Sequence, residues 1–403
     1  MQPQRDELLP YVGPAAALPL FGTLARLPFA IAIRIWSGLL AAALATLVLV
    51  ALAFAGTRSV RVLLAAFALA LTAGPVTSAL GLGQAALLAA GGIALALWAL
   101  DRGTIATGAL GTLIAAVQPN LALVLLARLR DRRAWLAVVC ALAAFTALTA
   151  WGSADVVAYL RVLAHHGAAE RNDAIQYTPA AIAWSLGAPA LLASALGALC
   201  ALAAIVLVVA LTVRARLTPR AGTLLALAAL PLAIPFFHEH DFAVELLALI
   251  PLCIAARGTP RVLAGVALVL VLTDAFGMAQ RPLATGAILA QSTALACAFV
   301  ALGSGPLRRA DAAPFATLAL VALLAIPLAR SAPAPVWPDA LGATYRAPVA
   351  ADAGAVWADE QRTAGLDARQ PQWGALRAFP LLGCLVLGIA VVRCPRSSCR
   401  RTA

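Results

Sequence analysis

The sequence predicts an all-α, polytopic transmembrane helical bundle, and three observations carry that prediction. Of 403 residues, 63% are hydrophobic and only 11% are charged, against roughly 45–50% apolar and 25% charged in soluble domains. The mean hydropathy is +0.94. Apolar runs long enough to cross hydrocarbon, roughly 20 residues each, recur along the whole chain and are separated by short loops bearing arginine.

The net charge of +12 suits two partners, nucleic acid or the membrane. The basic residues are scattered between apolar runs and form no aromatic-flanked patch or DNA-binding motif, so no nucleic-acid partner is expected. They read as topology signals instead. All 29 basic residues are Arg, which beside so much Ala points to GC-rich coding and a bacterial source, hence a plasma membrane.

Eleven spans are expected near 28–56, 61–79, 83–100, 134–150, 181–213, 221–237, 242–256, 261–277, 284–303, 315–329 and 377–393. Arg-rich short loops stay cytoplasmic, so Arg58 and Arg61 place the first loop inside. Residues 80–82 then fall outside and Arg102 inside, together with the cluster Arg128, Arg130, Arg132 and Arg133. The run 104–127 therefore begins and ends on one side, and Gln118, Pro119 and Asn120 interrupt its middle. Proline removes a backbone donor and the amides need partners, so the run is a kinked span or a re-entrant hairpin. The charge alternation favours the hairpin, its apex buried in protein or lining a wet cavity. Downstream the alternation continues through Arg214, Arg216 and Arg220, then Arg257 and Arg261, then Arg308 and Arg309, and the basic tail 394–403.

The whole chain 1–403 reads as one membrane domain, without internal repeats or a Gly/Ser linker. Residues 1–27 fall outside with no signal-peptide pattern, so a helix preceding them is expected. Cys140, Cys200, Cys253, Cys297 and Cys384 lie in apolar runs and read as core filler; Cys394 and Cys399 read as free thiols, a poor metal site.

The outer side receives loops 151–180 and 331–376 and all four histidines, so chemistry is expected there. "HEHD" places His238, Glu239, His240 and Asp241 between two apolar runs. It lacks a recognised zinc spacing, so no metal is expected. A solvated turn and a polar substrate or phosphate contact both remain open. In "LAHHGAAERNDAIQY", His165 and His166 sit in a solvated loop or a surface helix. Arg161 or Arg171 could clamp a phosphate with forked donors, and Asp173 could then serve as a base or hydrogen-bond acceptor. Trp337, Tyr345, Trp357 and Trp373 could stack on sugars but fit interfacial anchoring better. Gln84 stands at the mouth of an apolar helix among small residues that permit close packing.

Four stretches in order, "YVGPAAALPLFGTLARLPFAIAIRIW", "LGLGQAALLAAGG", "AAVQPNLALVLLARLRDRRAW" and "HEHDFAVELLALIPL", resemble the integral membrane glycosyltransferases of family 87. That family belongs to the GT-C superfamily, which includes polyprenyl-phosphate-mannose-dependent mannosyltransferases. Gln118 stands where the family usually has Lys, and Gly13 replaces the first proline of its pair. The resemblance implies a GT-C-like fold and inverting transfer of a hexosyl unit, mannosyl or similar. The donor would be a polyprenyl-phosphate sugar and the acceptor a lipid or glycan hydroxyl, on the outer face and with no cofactor. Donor contacts would come from Gln84, Gln118, Asn120, His165, His166, Arg171, His238, His240 and Asp241. The family's catalytic Asp lies upstream of the first stretch, which leaves Asp6, Asp173 and Asp241 as candidates. A transporter or lipid flippase, and a non-catalytic truncated subunit, are the alternative readings.

Overall fold

The computed structural model describes residues 13–128, 130–152, 156–214, 217–279, 284–303, 309–333 and 353–394. Among them every regular element is helical, apart from an isolated antiparallel bridge between Gln176 and His238. The first half holds α1 (Leu18–Ala25), α2 (Phe29–Ala55), α3 (Val60–Thr72), α4 (Gly74–Leu82), α5 (Ala86–Asp101), α6 (Ile105–Ala115), α7 (Pro119–Ala122), α8 (Arg132–Gly152) and α9 (Val156–Glu170). The second holds α10 (Pro179–Ser185), α11 (Ala190–Arg214), α12 (Pro219–Ala233), α13 (Leu246–Ala255), α14 (Thr259–Leu272), α15 (Ala275–Ala279), α16 (Ala284–Leu302), α17 (Ala313–Ser331), α18 (Ala353–Thr363) and α19 (Pro371–Arg393).

Seven helices are long and apolar enough to cross a membrane, or eight if α3 and α4 count as one bent span. The chain is a multi-pass membrane protein. Eleven spans were expected, and the difference lies in the interior. α5, α12 and α13 have 16, 15 and 10 residues, short of the roughly 20 that cross hydrocarbon. α13 is buried from Leu246 to Ile254, and most of α5 is buried too. A helix ringed by protein has no lipid thickness to match, and its end groups can be satisfied by neighbouring backbone. The perimeter is formed by helices such as α8 and α11, whose most apolar windows are only 17% and 6% buried.

Two expected spans are broken. The run 61–79 bends by 63° between α3 and α4, where Ala73 leaves helical geometry and Pro75 opens the next helix. The run 181–213 is interrupted between α10 and α11 by Gly187, at φ 105°, and Pro189.

The hairpin reading of 104–127 agrees with the ion pairs. Asp101, at the end of α5, accepts from Arg128 Nη1 at 2.8 Å, so the segment enters and leaves at one end of the bundle. The same carboxylate accepts Arg220 Nε and Nη2 at 3.0 and 2.8 Å, and the Arg220 guanidinium lies 4.4 Å over the Phe54 ring. Clusters that the positive-inside rule assigned to one side thus meet at one end. Small residues seat the first half of the hairpin: a Cβ on Gly92 would fall 2.5 Å from Ala115 N, and one on Gly111 2.5 Å from Ala96 N. α5 and α6 therefore pack backbone to backbone.

Candidate functional site

The site forms at the opposite end, where the turn after α9 meets the extended segment before α13. Tyr177 N–H donates to Phe237 O at 2.7 Å, and Phe237 N–H donates to Gln176 Oε1 at 3.1 Å. This clasp fixes the Gln176 amide with its nitrogen toward Glu170 Oε2, at 3.1 Å, and 3.0 Å from His238 Nε2. Glu170 is the hub. Its Oε2 also lies 3.2 Å from His166 Nε2 and 3.6 Å from His238 Nε2, while Oε1 accepts from Trp357 Nε1 at 2.7 Å.

The electrostatics follow from this packing. Burial would raise the pKa of Glu170, but the His166 and His238 rings close to its carboxylate and their positive charges hold it well below the usual carboxylate range. Burial disfavours the His238 imidazolium, yet Asp241 and Glu170 on either side raise its pKa to about 10. Asp173 moves the other way: burial first, then the Glu170 and Asp367 charges, push it up to about 8. Its Oδ2 is buried without a hydrogen-bond partner.

Asp173 therefore carries a pH-dependent cost. A carboxyl whose folded pKa is raised contributes stability fully present below its unfolded value, and that stability is lost as pH rises through about 8. Asp173→Asn keeps the shape and removes the titration. Its melting temperature relative to wild type should rise between pH 5 and pH 9, with about 1–3 kcal/mol at stake, the usual cost of an unpartnered buried polar group. A pH-independent difference in thermal melts would contradict this.

Residues 239–245 form a tight 3-10 turn in which His240 and Asp241 are buried. Asp241 Oδ2 accepts the His238 backbone N–H at 2.9 Å, and the His238 and His240 rings stack 5.2 Å apart. Burial raises the pKa of Asp241, but the hydrogen bond from His238 and both imidazole charges bring it below its ordinary value. His240 is pushed down to about 4, chiefly by burial. Ligand atoms of His238, His240 and Asp241 lie within 4.8 Å of one another, a donor set of the type that holds a divalent cation. The solvated-turn reading of this segment is corrected: the apolar segments on either side bury it.

Glu239 points to the other side of the turn and faces Asp274, between α14 and α15. A Cβ on Gly74 would lie 2.5 Å from Asp274 Cβ and 3.1 Å from Glu239 Oε1, so both acids flank the break between α3 and α4. Tyr177 lies beside Asp274 and Ser78 beside Glu239, and Gly277 N–H donates to Asp274 Oδ1 at 2.7 Å. Burial and then the Asp274 charge raise the Glu239 pKa well above the usual carboxylate range.

Of the residues expected from sequence, the structure gathers His166, Asp173, His238, His240 and Asp241. Asn120 joins them from the hairpin apex, its Nδ2 donating to Phe236 O at 3.3 Å. Gln118 stands beside it with Oε1 buried and unpartnered. Gln84 lies in the turn between α4 and α5, where its backbone N–H meets Ala79 O. Arg171 is exposed, and His165 faces α18 at Gly354 rather than the cluster. Both histidines lie on the helix α9, and burial of His166 against Glu170 corrects the solvated-loop reading there. Trp357 is tied to Glu170 rather than serving as a simple anchor. Asp6, Trp337, Tyr345 and the tail from 395 onward lie outside the described residues.

Two residues were missed. Arg377 in α19 is fully buried and donates to Asp173 O at 3.0 Å, Gln176 O at 2.7 Å, Trp373 O at 3.2 Å and Ser185 Oγ. Asp274 falls within a run read as a span. In each case the signal was a single charge at the edge of an apolar segment, where intramembrane ionisable groups are costly unless used.

The model of glycosyltransferase family 87 matches residues 11–235, more than half of the chain. The chain belongs to glycosyltransferase family 87. It is a membrane glycosyltransferase, with a sugar donor and an acceptor as substrates. The match covers α1 to α12 and the turn carrying Glu170 and Gln176, and it stops just before His238. Comparison with the curated proteins found no match, and comparison with the solved structures found none either.

Proposed function

We propose that this family 87 glycosyltransferase moves a hexosyl unit, of mannosyl type, from a polyprenyl-phosphate donor to a hydroxyl of a lipid or glycan acceptor. The reaction takes place at the outer face of a bacterial plasma membrane and needs no cofactor. The observation that carries the reading is the buried histidine–carboxylate cluster at the end of the bundle away from the arginine ion pairs. A lipid-linked donor keeps its tail in the bilayer and presents its phosphate at that boundary. His238, His240 and the hairpin apex at Asn120 supply polar contacts for the phosphate, which is a good leaving group.

In the transfer step the acceptor oxygen bonds to the sugar's anomeric carbon as the bond from that carbon to the phosphate oxygen breaks. The bonding pair leaves with polyprenyl phosphate, and the acceptor proton passes to a carboxylate. Asp241 is a poor base, because its charge is committed to the His238 N–H and the flanking imidazoles. The Glu239–Asp274 pair suits the role better: two neighbouring carboxyls hold one proton between them, which raises the basicity of the ionised partner.

The test is transfer of radiolabelled mannose from polyprenyl-phosphate mannose into the lipid fraction of membranes expressing the chain. The expected result is labelled glycolipid that disappears with His238→Ala. No transfer above control membranes, with the protein shown to be inserted, would overturn the reading.

A further inference from the structure

The arginine-rich end carries a feature that sugar transfer does not use. A cavity of about 480 Å³ opens there, lined by Ala55, Thr57, Ser59, Arg61, Val62, Ile254, Ala255, Arg257 and Gly303. It lies where the end of α2, the start of α3 and the ends of α13 and α16 meet. Phe54, one residue before its wall, carries the Arg220 guanidinium that pairs with Asp101, so the cavity belongs to the end already assigned to the cytoplasm.

Its charge is uncompensated. Three other arginines at this end have carboxylate partners: Arg128 and Arg220 share Asp101, and Arg261 pairs with Asp311. Among the described residues no acid lines the cavity. Among the described residues Arg61 makes no ion pair, and Arg257 is held only by the Ile254 and Ala256 carbonyls, at 2.9 and 3.0 Å. These bonds use Nη1 and leave the rest of the guanidinium open. The N-terminus of α3 adds to the field, since no side chain accepts from its first turn and the helix dipole there is positive. The remaining wall, Ala55, Val62, Ile254 and Ala255, is apolar.

We infer that this cavity binds the phosphate headgroup of an anionic glycerophospholipid of the inner leaflet, with Arg61 and Arg257 gripping the phosphate. Two guanidiniums match a phosphate's oxygens, and basic pockets between helices on the cytoplasmic side recognise such headgroups. Thr57 and Ser59 offer hydroxyls to glycerol or phosphate oxygens. The apolar wall continues into the bilayer along the acyl chains.

Native mass spectrometry of the purified protein in neutral detergent, with added phosphatidylglycerol or phosphatidylcholine, tests this without any transfer assay. Wild type should retain phosphatidylglycerol in preference to phosphatidylcholine. The double variant Arg61→Gln, Arg257→Gln should hold it roughly thirtyfold more weakly, the sum of two guanidinium–phosphate contacts. Ser59→Glu places a carboxylate at the start of α3, where an acid favours the helix, so it should fold and also lose the lipid. Arg102→Gln, whose guanidinium lies over Trp98 outside the cavity, should retain it. Equal retention of both lipids, or undiminished binding by the double variant, would overturn the inference. Displacement by an equal concentration of inorganic phosphate would also overturn it, in favour of a site for the free anion.

Discussion

Arg377→Met will lower the melting temperature of the detergent-solubilised protein by about 3–6 °C and open the turn 171–178 to protease. The side chain is fully buried, and one guanidinium serves three backbone carbonyls and the Ser185 hydroxyl. Two of those carbonyls, from Asp173 and Gln176, belong to the turn that carries the Glu170 network. Methionine keeps the packing of the stem but leaves these acceptors unsatisfied, at a cost of about 3–5 kcal/mol in total. Arg377→Lys should restore only part of the loss, because a single ammonium cannot reach acceptors that diverge around a planar fork. Transfer activity should fall with the structure, since His238 is aligned through Gln176. If Arg377→Met melts like wild type and Arg171 stays resistant to trypsin, the turn is held by something other than this guanidinium.

Most of the bundle could be read from the chain because its signals are local. Hydropathy located the membrane helices, and arginine spacing implied that 104–127 enters and leaves on one side, as the Asp101–Arg128 pair shows. Hydropathy does not distinguish a lipid-facing helix from one ringed by protein, which is why α5, α12 and α13 were expected as full spans. The bend between α3 and α4 was written in Gly74 and Pro75, but an apolar run averages over such punctuation. The site was half legible. His238 to Asp241 stood out as four ionisable groups between apolar runs, whereas Arg377 acts on carbonyls 204 and 201 residues away in the chain. A contact of that range leaves no local trace beyond the charge itself. Asp274 was hidden for the same reason, and its meaning appears only where Gly74 lets it approach Glu239.

That approach leads to the second large effect. Glu239→Gln and Asp274→Asn should each reduce the transfer rate about 10²–10⁴-fold, the range for loss of a positioned base, with little change in donor KM. Stability should move in the opposite sense from Arg377→Met. The Glu239 pKa is raised in the folded protein by burial and by Asp274, so its contribution to stability is present below the unfolded carboxylate value and lost as pH rises through the folded one. Amide replacement removes that loss, and both variants should melt at or above wild type, most clearly at alkaline pH. The pH–rate profile separates a base from a prop. With Asp274 neutralised, Glu239 no longer feels a neighbouring charge, so the acid limb of any residual activity should shift to lower pH. Unchanged profiles and rates in both variants would remove the pair from the chemistry and return the proton to Asp173 or Asp241. A rate loss accompanied by lower melting would assign the pair a role in holding the break between α3 and α4 instead.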